Sequence, residues 1–278
     1  MIFQTWAKSD LGRQRPVNED CLYVDLEEQL ILVLDGMGGH RAGDVASLLA
    51  METISSFYKA HASKATNNSE IFEDYDESFA YHTNLLRQAV YNANRAVLNQ
   101  SRVKDEYLGM GSTVAGMAIQ EFTVSMVNVG DSRLYLIRDG LLEQISRDHT
   151  LAEDQVERGM ITPQEARQSQ LRHILSSVIG VDVRIRAHMD ELAVFPGDIF
   201  LLCTDGLTVV MEDSEIRDEI LREPPGPETL TRLIDEVNAR GGPDNTTLAL
   251  TVFSEDRTSD TESEASRLVS KTPKGRSR

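Results

Sequence analysis

The chain alternates between two textures of hydrophobic spacing. Residues 21–25 and 29–35 are short apolar runs split by Leu26, Glu27 and Glu28, which predicts a β-hairpin that feeds a Gly-rich turn and leaves Asp35 at a strand end. From 42 to 59, Ala46, Leu49, Ala50, Thr53, Ile54 and Phe57 recur at helical spacing, and a second helical pattern covers about 79–103. The polar, acidic stretch 63–77 between them reads as a surface loop. After Gly111 the spacing turns to alternation. Residues 113–119, 122–129 and 133–137 predict a meander, continued through the Arg138, Asp139, Gly140 turn into 141–145, with Asp131 in the turn between two of its strands.

Residues 151–177 are helical and polar, with Thr162 and Pro163 starting a second short helix. This excursion from the sheet reads either as a mobile lid or as a plain helical connection. Strands follow at 184–194 and 198–203, the latter delivering Asp205. Amphipathic helices at 214–221 and 228–239 are split by Pro224, Pro225, Gly226 and Pro227, and 246–253 is a last strand just after Asp244. Strands in clusters followed by helices in clusters indicate an α+β layered protein rather than an alternating parallel fold. From Ser254 onward the composition is Ser, Thr and charge, so the expected layout is one domain over 1–253 and a disordered tail over 254–278 with a basic end.

Charge narrows the partners. A net charge of −17 argues against nucleic acid or an anionic membrane surface, which demand clustered Lys and Arg. Cys21 and Cys203 are too few for a disulfide framework and read as small core residues. The N-terminal ten residues lack the layout of a signal peptide, and no stretch approaches a membrane span, so the expectation is a soluble cytoplasmic protein. His61, His82, His173 and His188 sit in regular patterns without ligand-type spacing and read as structural; His149, beside Asp148, is open to either reading.

Five short acidic motifs carry the candidate chemistry: Asn18-Glu19-Asp20, Asp35-Gly36-Met37-Gly38-Gly39-His40, Gly130-Asp131-Ser132, Thr204-Asp205-Gly206 and Pro243-Asp244-Asn245. Each sets an Asp at the end of an apolar run or beside a turn. Singly, that is ordinary turn chemistry. A fold that gathers those ends builds an oxygen-rich pocket suited to hard divalent cations, and two such ions about 3.5–4 Å apart ionise a shared water near neutral pH. Phosphate monoesters resist unaided hydrolysis, and Arg15, three residues before Asn18, suits a bidentate clamp on phosphoryl oxygens.

The ordered string of Arg15 to Asp20, Asp35 to His40 with Gly43, Ala46 and Ser47, Gly111-Ser112-Thr113, Gly130 to Arg133, Asp148-His149, Gly180, Thr204 to Leu207 and Asp244 to Thr247 resembles the bacterial branch of the PPM-type (protein phosphatase 2C-like) serine/threonine phosphatases. The resemblance spans about 9–253. It implies a four-layer αββα arrangement, a central antiparallel β-sandwich flanked by helices, with a helical flap at about 150–178. It also implies a binuclear Mg²⁺ or Mn²⁺ centre hydrolysing phosphoserine and phosphothreonine in proteins. On this resemblance Asp35 bridges the ions and the Gly36 carbonyl binds the first. Asp205 and Asp244 complete the second, Asp20 and Glu19 contribute nearby, and Asp131 with Asp205 forms a weaker third site.

Some positions depart from that pattern. Met37 stands where animal relatives carry a His thought to protonate the leaving oxygen, which leaves His40 or a water on the metal as the candidate donor. Asp44 replaces the commoner Glu and Thr204 the commoner Ser. The implied partners are phosphoprotein substrates and a cognate serine/threonine kinase, and the expected state is a monomer. Two other readings are a catalytically dead member that acts as a binding or regulatory protein and a phosphatase of small phosphoesters. Every expected acidic position is occupied, which favours activity.

Overall fold

The computed structural model describes residues 1–38, 42–63 and 71–255 of the chain. Its strands are β1 (Ile2–Asp10), β2 (Cys21–Asp25), β3 (Leu30–Leu34), β4 (Gly36–Met37), β5 (Gly111–Ser112), β6 (Val114–Gln120), β7 (Thr123–Val129), β8 (Arg133–Arg138), β9 (Leu141–Gln144), β10 (His188–Ala193), β11 (Ile199–Cys203) and β12 (Thr246–Ser254). They form two five-stranded antiparallel sheets, ordered β1-β12-β11-β8-β9 and β10-β7-β6-β3-β2, while β4 and β5 pair as a small ribbon. Helices α1 (Gly43–Ala62) and α2 (Tyr81–Gln100) pack against the second sheet. Helices α5 (Asp205–Thr208), α6 (Asp213–Leu221) and α7 (Pro227–Ala239) cover the first.

Layering follows from strand periodicity. Successive side chains on a strand point to opposite faces, so Leu30, Leu32 and Leu34 of β3 pack under α1 and α2, while Ile31 and Val33 enter the core between the sheets. Both faces are covered, which explains a run with no polar interruption. The same division holds in β11, where Leu201 and Cys203 meet α6 and α7 and Phe200 and Leu202 face the other sheet. Each such Leu or Ile taken fully out of water contributes about 1.5–3 kcal/mol. The four-layer αββα sandwich expected from the resemblance is the observed fold.

Two elements differ from the sequence expectation, and a third, the helical excursion, keeps its expected second start at Thr162. β1 was not legible: it runs antiparallel to β12 over its whole length, from Ile2 opposite Ser254 to Asp10 opposite Thr246, but as an edge strand it is only partly buried and its alternation is weak. The expected strand over 184–194 shortens to β10. The lost stretch is held by Ser177, whose hydroxyl accepts from Arg186 N–H at 2.9 Å and donates to the Arg186 carbonyl at 3.1 Å, while Asn94 of α2 fixes the turn just ahead through Gly180, Asp182 and Val183. The excursion after β9 breaks into α3 (Leu151–Glu157), α4 (Pro163–Gln168) and a 3-10 turn (Gln170–His173). Thr162 starts α4 with a reciprocal capping box to Glu165, the physical content of the Thr-Pro signal. The tail beyond 255 lies outside the described residues, as do residues 64–70 of the 63–77 loop. Among the described residues no helix is long and apolar enough to cross a membrane.

Candidate metal centre

Arg15, Glu19, Asp35, Gly36, Asp131, Asp205 and Asp244 line one cavity of about 240 Å³ at an end of the sandwich, together with Met37, Gly38, Thr113, His173, Leu175 and Asn245. Strand ends and tight turns deliver them. Asp35 follows β3, where its N–H donates to Thr113 Oγ1 at 2.9 Å and its carbonyl accepts from Thr113 N–H at 2.8 Å. Asp131 occupies the turn from β7 to β8, and Asp205 opens α5 straight after β11. Asp244 lies between α7 and β12. Asp20 stands behind this wall, its Oδ2 accepting from Thr204 Oγ1 at 2.9 Å.

Close backbone approach fixes the turn after Asp35. Gly36 N–H donates to the Glu19 carbonyl at 3.1 Å, and a Cβ on Gly36 would meet the Gly43 carbonyl oxygen at 2.1 Å. Only glycine fits there. Asn245 binds the N-terminal segment to this corner: its Oδ1 accepts from Glu19 N–H at 2.9 Å and its Nδ2 donates to the carbonyls of Leu11 and Val17. The Asp-Asn motif thus supplies a carboxylate for the cavity and an amide latch beside it.

The carboxylates keep part of their surface open to the cavity yet lie deep enough to lose most of their hydration. Burial first, and then the neighbouring Asp205 and Asp244 charges, push Asp20 up to about 7. Burial and Asp244 push Asp205 up to about 6. Burial followed by the Asp205 charge holds both Asp35 and Asp131 well above the ordinary carboxylate range. Arg15 alone among the described lining residues is a permanent cation, and its Nη2 donates to Asp244 Oδ2 at 2.6 Å. Like charges gathered with so little compensation favour either protons or bound cations.

Two buried oxygens, Asp20 Oδ1 and Asp205 Oδ1, have no hydrogen-bond partner. An orphaned carboxylate oxygen is costly unless something positive meets it. Among the described residues no three acidic, His or Cys side chains close on one point, so the donors line an open cavity rather than a collapsed cage. All-oxygen donors with room for water are what Mg²⁺ and Mn²⁺ take. The residues present fit hard divalent ions.

Sequence reasoning missed His173 and Leu175, which reach the cavity from the 3-10 turn of the excursion. No spacing signal marked them, because their position depends on how the excursion folds back. Of the other histidines read as structural, His61 Nδ1 bonds the Phe57 carbonyl and His82 Nδ1 the Tyr58 hydroxyl, whereas His188 Nδ1 is buried without a partner. His40 lies outside the described residues.

The fold and the acid-lined cavity match one class of protein. A family model described as protein phosphatase 2C matches residues 8–252, and the chain belongs to that family. Within it, the chain is 35% identical over 251 residues to the serine/threonine protein phosphatase PstP of Mycobacterium tuberculosis, covering 90% of this chain and 45% of that protein. The chain therefore spans about half the length of that relative. It is 30% identical to the serine/threonine phosphatase stp of Listeria welshimeri, covering 87% of this chain and 93% of that one. A crystal structure of the catalytic domain of PstP in complex with two manganese ions superposes with a TM-score of 0.75 at 30% identity, covering 91% of this chain and 99% of that one.

Proposed function

We infer that this protein is a metal-dependent protein serine/threonine phosphatase with its catalytic domain over 1–253. The observation that carries the reading is the convergence of carboxylates from five separate segments on one cavity, two of the acidic oxygens being buried and unpartnered. Two divalent ions, Mn²⁺ or Mg²⁺, would supply the Lewis acidity that ionises the attacking water. Asp35 would hold both ions, the Gly36 carbonyl the first, and Asp205 and Asp244 the second. Glu19 and Asp20 would support them, and Asp131 with Asp205 would take a weaker third.

The chain's own residues do the remaining work. Arg15, 47% exposed beside Asp244, clamps the phosphoryl oxygens with a fork that matches them in geometry and charge. Thr113 fixes Asp35 from both backbone directions, and Asn245 fixes the segment that carries Glu19. Residues 150–178 act as a flap beside the cavity. Phosphoproteins made by a serine/threonine kinase in the cytoplasm, where the kinase has its ATP, are the substrates, and the working state is a monomer.

Removal of divalent ions should abolish hydrolysis of p-nitrophenyl phosphate and of a phosphothreonine peptide, and added Mn²⁺ should restore both. Turnover that survives chelation sinks the reading. Faster turnover of sugar phosphates than of the peptide would instead favour a small-phosphoester enzyme.

A further inference from the structure

The Thr113 side chain touches both the turn that carries Asp35 and the turn that carries Asp131. It follows β5 directly and lines the cavity, yet the residue is almost wholly buried. Its hydroxyl accepts from Asp35 N–H at 2.9 Å and lies 2.7 Å from the Oγ of Ser132, the residue after Asp131. Its methyl arm packs on the residue before Asp131: a Cβ on Gly130 would meet Thr113 Cγ2 at 2.5 Å. The two arms of one β-branched residue thus bracket Asp131.

The neighbouring supports serve one turn each. His149 donates its N–H to the Gly130 carbonyl at 2.8 Å and accepts from Gly130 N–H at Nδ1, and the Ser132 carbonyl accepts from Asn128 Nδ2 at 2.6 Å. On the other turn, the Asp35 carbonyl accepts from Thr113 N–H at 2.8 Å and from Ser112 Oγ at 3.1 Å. Of these side chains, Thr113 alone bonds to both turns.

Such a link controls the spacing of two carboxylates that come from different strands, Asp35 after β3 and Asp131 between β7 and β8. Mg²⁺ tolerates little departure from octahedral geometry, so donors that drift apart bind it poorly. Groups that orient metal-binding side chains commonly change affinity by about 10–100-fold when they are lost.

Resting on the phosphatase reading above, we propose that Thr113 is a positioning residue that fixes the Asp35 turn against the Asp131 turn and so sets how tightly the cavity takes divalent ions. The hydroxyl carries this role rather than the bulk of the side chain. Valine would keep the shape and the packing on Gly130 but leave the buried Asp35 N–H without its acceptor. Serine would keep both hydrogen bonds and lose only the methyl.

Mn²⁺ calorimetry and melting curves on the full chain test the assignment. Thr113→Val should weaken Mn²⁺ binding about tenfold or more and shrink the rise in melting temperature that Mn²⁺ produces, whereas Thr113→Ser should bind within about threefold of wild type. Ser132→Ala cuts the link on the Asp131 side only, so it should lose affinity for the last ion bound and keep the first within about threefold. A Thr113→Val protein that melts lower in chelator but keeps the wild-type Mn²⁺ affinity and shift overturns the assignment, because a purely structural hydroxyl behaves that way. So does a Thr113→Ser protein that binds as weakly as Thr113→Val, or a Ser132→Ala protein whose first ion weakens as much as its last. Should Thr113→Val fail to fold, the Thr113→Ser and Ser132→Ala titrations decide alone. A wild-type chain that takes up no Mn²⁺ overturns the phosphatase reading and this assignment together, whereas wild-type binding that neither hydroxyl-free variant alters overturns this assignment alone.

Discussion

Arg15 Nη2 donates to Asp244 Oδ2 at 2.6 Å, joining two positions 229 residues apart on the rim of the cavity. With side chains 47% and 27% exposed, the pair contributes under about 1 kcal/mol to stability. Its consequence is positional: the one permanent cation among the described lining residues is parked beside a carboxylate that suits a metal. Arg15→Ala should therefore raise KM for a phosphothreonine peptide about tenfold or more and leave the melting temperature almost unmoved. Arg15→Lys should recover part of the binding, since a point charge lacks the bidentate fork. Steady-state kinetics on the three proteins decide it, and an unchanged KM in Arg15→Ala would place the phosphate elsewhere.

Asp205 is held up to about 6 by burial and by the Asp244 charge, so the metal-free protein carries electrostatic strain at this point. Asp205→Asn should raise the melting temperature measured in chelator, shrink the shift produced by Mn²⁺, and cut kcat by orders of magnitude. Asp35→Asn should behave likewise. Melts with and without Mn²⁺ separate this from ordinary damage, which would lower stability in both conditions.

Arg133 donates from Nε to both oxygens of Asp148 at 3.0 and 3.1 Å and from Nη2 to Oδ2 at 2.8 Å, and Nη1 reaches the Tyr135 hydroxyl. Tyr135 in turn donates to Asp213. This network ties β8 to the start of the flap and to α6. Asp148→Asn leaves the half-buried guanidinium short of a counter-charge and should cost about 3 kcal/mol in urea unfolding. A loss below about 1 kcal/mol would show that water replaces the carboxylate there.

His149 Nδ1 accepts from Gly130 N–H at 3.1 Å, which requires that nitrogen to be unprotonated. Burial, then the Arg186 and His188 charges, bring the imidazole down to about 4. Between about 4 and the ordinary value near 6.5 the unfolded chain holds a proton that the native state refuses, so this residue makes stability fall as pH is lowered through that window. The full loss is on the order of 3 kcal/mol. Denaturant midpoints at pH 7 and pH 4.5, compared between wild type and His149→Gln, should show a smaller drop in the variant.

The family could be read from the chain because its motifs are local: an Asp after an apolar run, a glycine turn beside it, an Asp-Asn pair before the last strand. The two runs at 21–25 and 29–35 announced the hairpin and left Asp35 at a strand end. β1 escaped because an edge strand is half exposed and its partner, β12, lies at the other end of the sequence. The 184–194 expectation ran too long because the Ser177 hydroxyl captures both backbone groups of Arg186.

By itself, the sequence determined which oxygens stand at strand ends and how many there are, since turn chemistry and apolar periodicity act over a few residues. Tertiary structure alone decided that these oxygens share one cavity, that Arg15 meets Asp244, and that His173 and Leu175 fold back onto the lining. Those are contacts between segments far apart in the chain. They are set by how two sheets and their helices pack, and nothing in the local spacing of residues encodes a distance across that core.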